Sequence, residues 1–188
     1  MRKAIFLLSA AIVLAGTCAL TTAIPADALS IGETHISRAQ ASDAAIQARD
    51  DMLDAFGPGD LAPGKYIWRD VPADAGEERV VISLGDQMAY LYRGTTLMAV
   101  TTISSGTDTN PTPTGIFMVH TKKPMHRSVK YENAPMPFAQ FIDQYGVALH
   151  AGYLPGRPAS HGCVRLPSGF AKKLYSVTDV GTPVLIGA

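Results

Sequence analysis

From Arg79 to the C-terminus the chain is written in short runs of β-branched, aromatic and aliphatic residues punctuated by Gly, Asp and Pro, a texture that confines it to a strand-based fold. "RVVISL" and "MAYLY" flank "GDQ" as the arms of a hairpin, and "RGT" turns the chain into "LMAVTTIS". "GIFMVH" and "YGVALH" follow after loops, and "TPVLIG" closes the chain. The only helical signal in this half is "PSGFAKKLYSV", where Phe170 and Leu174 share one face. These runs predict a mostly antiparallel sheet with one short helix over residues 66–188.

The preceding stretch has a different character. Ser37 to Phe56 is Ala-rich and free of breakers, and "GPGDLAPG" halts it, so residues 29–65 read as a helical and linker segment. Its larger apolar residues are Ile46, Met52, Leu53 and Phe56; they suit packing on the domain or bridging to the envelope, and the sequence does not choose. At the N-terminus Arg2 and Lys3 precede an apolar or small run from Ala4 to Leu20, and Ala26 and Ala28 have the spacing of a cleavage site. Residues 1–28 therefore read as a secretory signal peptide, placing the mature chain in the periplasm or cell envelope. The same run also reaches the lower limit for a membrane anchor, and Cys18 invites lipidation, although Thr17 stands where a lipoprotein signal wants a smaller residue.

Removing residues 1–28 leaves about 160 residues, enough for one domain with a core and too few for a second large one. Acidic and basic residues balance at sixteen each, which argues against nucleic acid or another polyanion as partner.

Cleavage would also leave Cys163 as the sole cysteine, without an intramolecular disulfide partner in a compartment that favours one. An odd thiol of this kind is a reactive group, a cross-linking site or a small buried hydrophobe. Its surroundings, "LHAGYLPGRPASHGCVRLP", favour reactivity. A thiol attacks as thiolate and needs a base that takes and returns a proton. His161 stands two positions away, on the same side of an extended strand, and His150 ends a strand separated from "HGC" only by a Gly- and Pro-containing loop. Gly162 permits a turn that exposes consecutive amides, so the N–H groups of His161, Gly162 and Cys163 are candidates for an oxyanion hole. Two readings compete: a zinc site built from His150, His161 and Cys163, which lacks a further ligand at suitable spacing, and inert packing of the same residues. His35, His120 and His126 read as structural or solvated, and the polar loop "SSGTDTNPTPTG", residues 104–115, as framing a cleft. Nothing in the sequence asks for a metal or cofactor.

The string "SHGCVR" with its upstream strand-ending His, the "VVISLGDQMAYLYRG" hairpin and the "TPTG" loop closely resembles the L,D-transpeptidase (YkuD-type) catalytic domain over residues 78–187. The resemblance implies a β-sandwich-like fold, with one or two short helices besides the N-terminal helical segment. It also implies that Cys163 attacks the bond between the third and fourth residues of a peptidoglycan stem tetrapeptide and passes the acyl group to an amine on another stem peptide, a D-amino acid or an envelope protein. By the same resemblance His150 is the general base, His161 and Gly162 support the oxyanion, and Ser160 holds a histidine by hydrogen bond. Where the family commonly has Asn, this chain has Arg165; with Arg157 it is a candidate to attract a stem-peptide carboxylate. Hydrolysis by an L,D-carboxypeptidase of the same fold and a non-catalytic peptidoglycan-binding module are the alternatives.

Overall fold

A computed structural model describes residues 32–59 and 61–188. The signal peptide assigned to residues 1–28, with its anchor and Cys18 alternatives, lies outside the described residues. Among the described residues ten strands form two sheets. In the larger, β2 (Glu78–Ser83), β3 (Met88–Arg93) and β4 (Thr96–Thr102) make an antiparallel meander, with β1 (Tyr66–Trp68) added beside β4. β10 (Pro183–Gly187) joins parallel to β2 and carries β5 (Gly115–Met118) on its far side. The smaller sheet runs β6 (Thr121–Arg127), β7 (Pro135–Phe141), β8 (Ala148–Ala151) and β9 (Val164–Leu166), with β8 and β9 parallel.

The inner faces of the two sheets and one side of α2 (Ser168–Val177) enclose the main core. Val80 and Ile82 of β2, Ala89 and Leu91 of β3, and Leu149 and Ala151 of β8 alternate into it, as the two-residue period of strands requires. Phe170, Ala171 and Leu174 fill it from α2, and Trp68 meets Phe170 edge-on at 5.5 Å.

The intervening residues Val81, Tyr90 and Tyr92 face the opposite side and are buried too, because α1 (His35–Phe56) lies across that face. A sheet covered on both faces has no polar side to show, which explains why β2 and β3 read as near-continuous apolar runs. The helix starts at Thr34, whose Oγ1 accepts the Ser37 amide at 3.1 Å, and ends where the Gly57 N–H donates to Leu53 O. Its inward residues Ala41, Ala45 and Ala48 are small, so the helix backbone can come close to the strands. Tyr92 Oη donates to Asp51 at 2.6 Å, and Arg49 pairs with Asp86 at 2.6 Å. The undecided segment is thus a layer of the fold. Ala41 is fully buried, so Ala41→Leu is expected to cost about 1–3 kcal/mol of stability by overpacking this interface, read as a lowered denaturation midpoint at unchanged m-value.

Three features depart from the sequence expectation. The single, mostly antiparallel sheet read from the runs is instead two sheets with two parallel pairings, β2 with β10 and β8 with β9, in keeping with the mostly β, sandwich-like fold that the resemblance implies. The stretch between "GIFMVH" and "YGVALH", read as loop, holds two strands: "TKKPMHRSVK" contains β6, and "PMPFAQF" is β7. His126 accordingly sits on a strand, edge-on to Phe141 at 5.1 Å, while His120 bonds Thr121 and the Asp143 carbonyl.

Candidate active site

The parallel pairing of β8 with β9 builds the site. It places His150 opposite Arg165 and Leu149 opposite Val164, so Cys163, just ahead of β9, falls beside the beginning of β8. There its Sγ donates to the Gly146 carbonyl at 3.7 Å and receives the Ala148 amide. Cys163 and His150 line one open cleft of about 490 Å³, together with Tyr131, Met136, Tyr153, His161 and Arg165.

His150 is only 7 % exposed, and its Nδ1 stands 2.8 Å from the Ala151 carbonyl. A carbonyl only accepts, so Nδ1 carries the proton and Nε2 keeps its lone pair free to act as a base. Burial lowers the imidazole pKa below its usual value; the Ala151 bond opposes this and the Arg165 charge adds to it. Burial pushes the Cys163 thiol up, against the Ala148 amide; Asp143 raises it further and Arg165 lowers it. Both directions leave the thiol and the imidazole, which line the same cleft, uncharged at neutral pH.

The turn carrying the thiol is held by hydroxyl groups. Ser160 Oγ accepts the Gly162 amide at 3.1 Å and donates to the Cys163 carbonyl. Gly162 has φ +112° with no atom nearer than 3.6 Å to the place of a Cβ, so the backbone conformation, not space, demands glycine there. Thr112 Oγ1 donates to the Gly162 carbonyl at 2.9 Å and accepts the Gly106 amide at 2.9 Å. Further along the same loop, Ser105 O accepts the amides of Ala159 and Ser160, and the Thr107 amide donates to Ser160 O. Gln87 in turn braces Ser105 through two bonds.

These contacts revise several expectations. Ser160 bonds the backbone of the turn and not a histidine. The Gly162 amide is occupied by Ser160 and leaves the set of candidate oxyanion donors, whereas among the described residues the amides of His161 and Cys163 have no acceptor. Residues 104–115 buttress the turn from behind and do not line the cleft. Arg157 is exposed on the connecting loop, away from the cleft, and its contribution is a carbonyl that accepts from Ser104. Arg165 does line the cleft. Its stem lies against Gly152, where a Cβ would come within 3.0 Å of Cγ, and among the described residues no carboxylate pairs with it. The zinc arrangement is not formed, since no three His, Cys, Asp or Glu side chains converge among the described residues. His161 instead stacks on Tyr131, with ring centroids 4.4 Å apart.

Tyr131 escaped the sequence reading. It stands in the turn between β6 and β7, whose strands were hidden by prolines and lysines, and an aromatic residue in an apparent loop carries no periodic signal.

A family model described as the L,D-transpeptidase catalytic domain matches residues 77–186. No curated protein matches. Among solved structures, an L,D-transpeptidase from Xylanimonas cellulosilytica is similar at TM-score 0.55 and 25 % identity, covering 78 % of this chain and 76 % of that one. An L,D-transpeptidase from Mycobacterium smegmatis gives TM-score 0.56 at 20 % identity, over 60 % of this chain and 59 % of that one. L,D-transpeptidase 3 from Mycobacterium tuberculosis, solved with a faropenem-derived adduct, gives 0.55 at 20 % identity, with 60 % of each chain covered. The chain thus spans about three-fifths of the length of the two mycobacterial structures.

Proposed function

Because the chain belongs to the L,D-transpeptidase (YkuD) catalytic-domain family, we propose that it is a cysteine acyltransferase that acts on peptidoglycan stem peptides outside the cytoplasm. The observation that carries this reading is the tautomer of His150: with Nδ1 committed to Ala151 O, Nε2 is the free base in the cleft that Cys163 also lines.

The chemistry follows from that pair. As the thiol sulfur approaches the carbonyl carbon between stem residues three and four, its proton passes to His150 Nε2, and sulfur and carbon bond as the carbonyl oxygen takes up charge. The amides of His161 and Cys163 stabilise that oxygen. Collapse expels the terminal D-alanine amine, which takes the proton from His150 and leaves a thioester on Cys163. An acceptor amine then attacks the thioester, His150 removes the proton from that nitrogen, and the thiol is regenerated. Among the described residues no carboxylate lines the cleft and Arg165 is its one permanent charge, placed to receive a carboxylate of the anionic stem. Envelope-protein amines remain acceptors of the same chemistry.

The test is mass spectrometry of the products formed when purified protein meets a diaminopimelate-containing tetrapeptide and excess D-methionine. D-Methionine-exchanged peptide is the expected result. Tripeptide alone would make the protein an L,D-carboxypeptidase in which water is the acceptor. Unchanged peptide, with no covalent adduct after faropenem, would leave a non-catalytic binding module.

A further inference from the structure

We propose that Thr112 is a positioning residue that sets the oxyanion hole, by fixing the orientation of the Gly162–Cys163 peptide from behind. The proposal deepens the acyltransferase reading and rests on it.

A threonine hydroxyl has one proton to give. Thr112 is buried, its Oγ1 accepts the Gly106 amide, and its proton goes to the Gly162 carbonyl. Both partners are backbone groups, so the hydroxyl has no freedom to point elsewhere. In a trans peptide the C=O and the following N–H project in opposite directions within one plane, and the chain contains no cis peptide among its described residues. A Gly162 carbonyl held toward the 104–115 loop therefore sends the Cys163 N–H away from that loop. The cleft lies on the far side: His161 and Cys163 line it, and residues 104–115 do not. The neighbouring peptide follows the same rule, because the Thr107 amide takes Ser160 O and turns the His161 N–H away from the loop as well.

The constraint is needed because Gly162 sits at φ +112°, a region glycine enters and leaves easily. Without an anchor the peptide on its C-terminal side is free to rotate, and the Cys163 amide with it. Ser160 does not replace the anchor, since it holds the Gly162 amide and the Cys163 carbonyl, one peptide to either side. The series Gly106 N–H to Thr112 hydroxyl to Gly162 carbonyl also polarises the Cys163 N–H that continues it, strengthening that donor toward developing negative charge.

Two reactions of the same sulfur separate this role from general support. Acylation by faropenem or by the tetrapeptide passes through a tetrahedral oxyanion, whereas alkylation by iodoacetamide is a direct displacement without one. Thr112→Val keeps the shape and removes the hydroxyl. It is expected to slow acylation about 10–100-fold, the range for losing a group that orients a site from behind, with the alkylation rate within about twofold of wild type. Thr112→Ser, which keeps the hydroxyl, is expected to recover most of the acylation rate and guards against a valine variant that fails to fold. Equal acylation by the valine variant and wild type would overturn the proposal. So would a parallel fall in acylation and alkylation, which means that the thiol and not the hole was disturbed. A wild-type protein that is alkylated but never acylated would sink the acyltransferase reading and this inference together.

Discussion

Cys163→Ala is expected to remove all covalent adduct with faropenem and all product from the tetrapeptide, a loss of about 10⁴-fold or more in turnover, because Cys163 is the one thiol among the described residues. The native fold is expected to survive. Cys163 packs beside Met136, Ala139, Phe141 and Ala148 on the outer face of the smaller sheet, and among the described residues its sulfur's hydrogen-bond partners are the Gly146 carbonyl and the Ala148 amide. Deleting one half-buried sulfur there costs about 1 kcal/mol, which leaves a cooperative unfolding transition and an unchanged circular dichroism spectrum. Cys163→Ser makes the comparison sharper. Its hydroxyl is close to isosteric but gives up its proton far less readily, so acylation falls nearly as far as with alanine. Either variant retaining product would move the nucleophile elsewhere, and a variant lacking both product and fold would make the thiol structural.

The strands of the larger sheet were legible where both faces are buried. "RVVISL", "MAYLY" and "LMAVTTIS" correspond to β2, β3 and β4, because inner core and α1 together leave no polar alternation to blur the runs. β6 and β7 were illegible for the opposite reason: Lys122, Lys123, Pro124, Pro135 and Pro137 belong to a half-exposed hairpin at the sheet edge, where proline and lysine discourage edge-to-edge association. Parallel pairing was equally hidden, since β8 and β9 are short and meet through a register that no local pattern encodes. At the site, residue identity announced Cys163 and His150, but the role of Ser160 could not be read from "SHGC". A serine hydroxyl serves a side chain or a backbone amide equally well, and only the φ of Gly162 brings its own amide onto Ser160. Thr112 was visible within "TPTG" as part of a loop, yet its partner lies fifty residues away in sequence.

The pH dependence of the pair is the second large effect. Burial lowers the His150 pKa and raises that of Cys163, so between the two values both groups are neutral and the imidazole is competent to take the proton. As pH falls through the depressed imidazole pKa, below the usual value of about 6.5, His150 becomes charged and acylation is lost. As pH rises, the thiol ionises only above the usual cysteine value of about 8.5, so acylation is expected to be flat across neutrality while iodoacetamide alkylation, which follows thiolate alone, stays slow at pH 7 and climbs only in alkali. A preformed thiolate–imidazolium pair reverses this, with fast alkylation already at pH 6. His150→Ala then isolates the base. At pH 7 the variant is expected to acylate about 10²–10⁴-fold more slowly than wild type. Its rate should then rise about tenfold per pH unit toward the thiol pKa, because hydroxide in solution generates the nucleophile that His150 otherwise generates in place. A variant whose rate stayed low and flat through that range would show that His150 contributes something other than proton transfer. A variant equal to wild type at pH 7 would remove it from the mechanism.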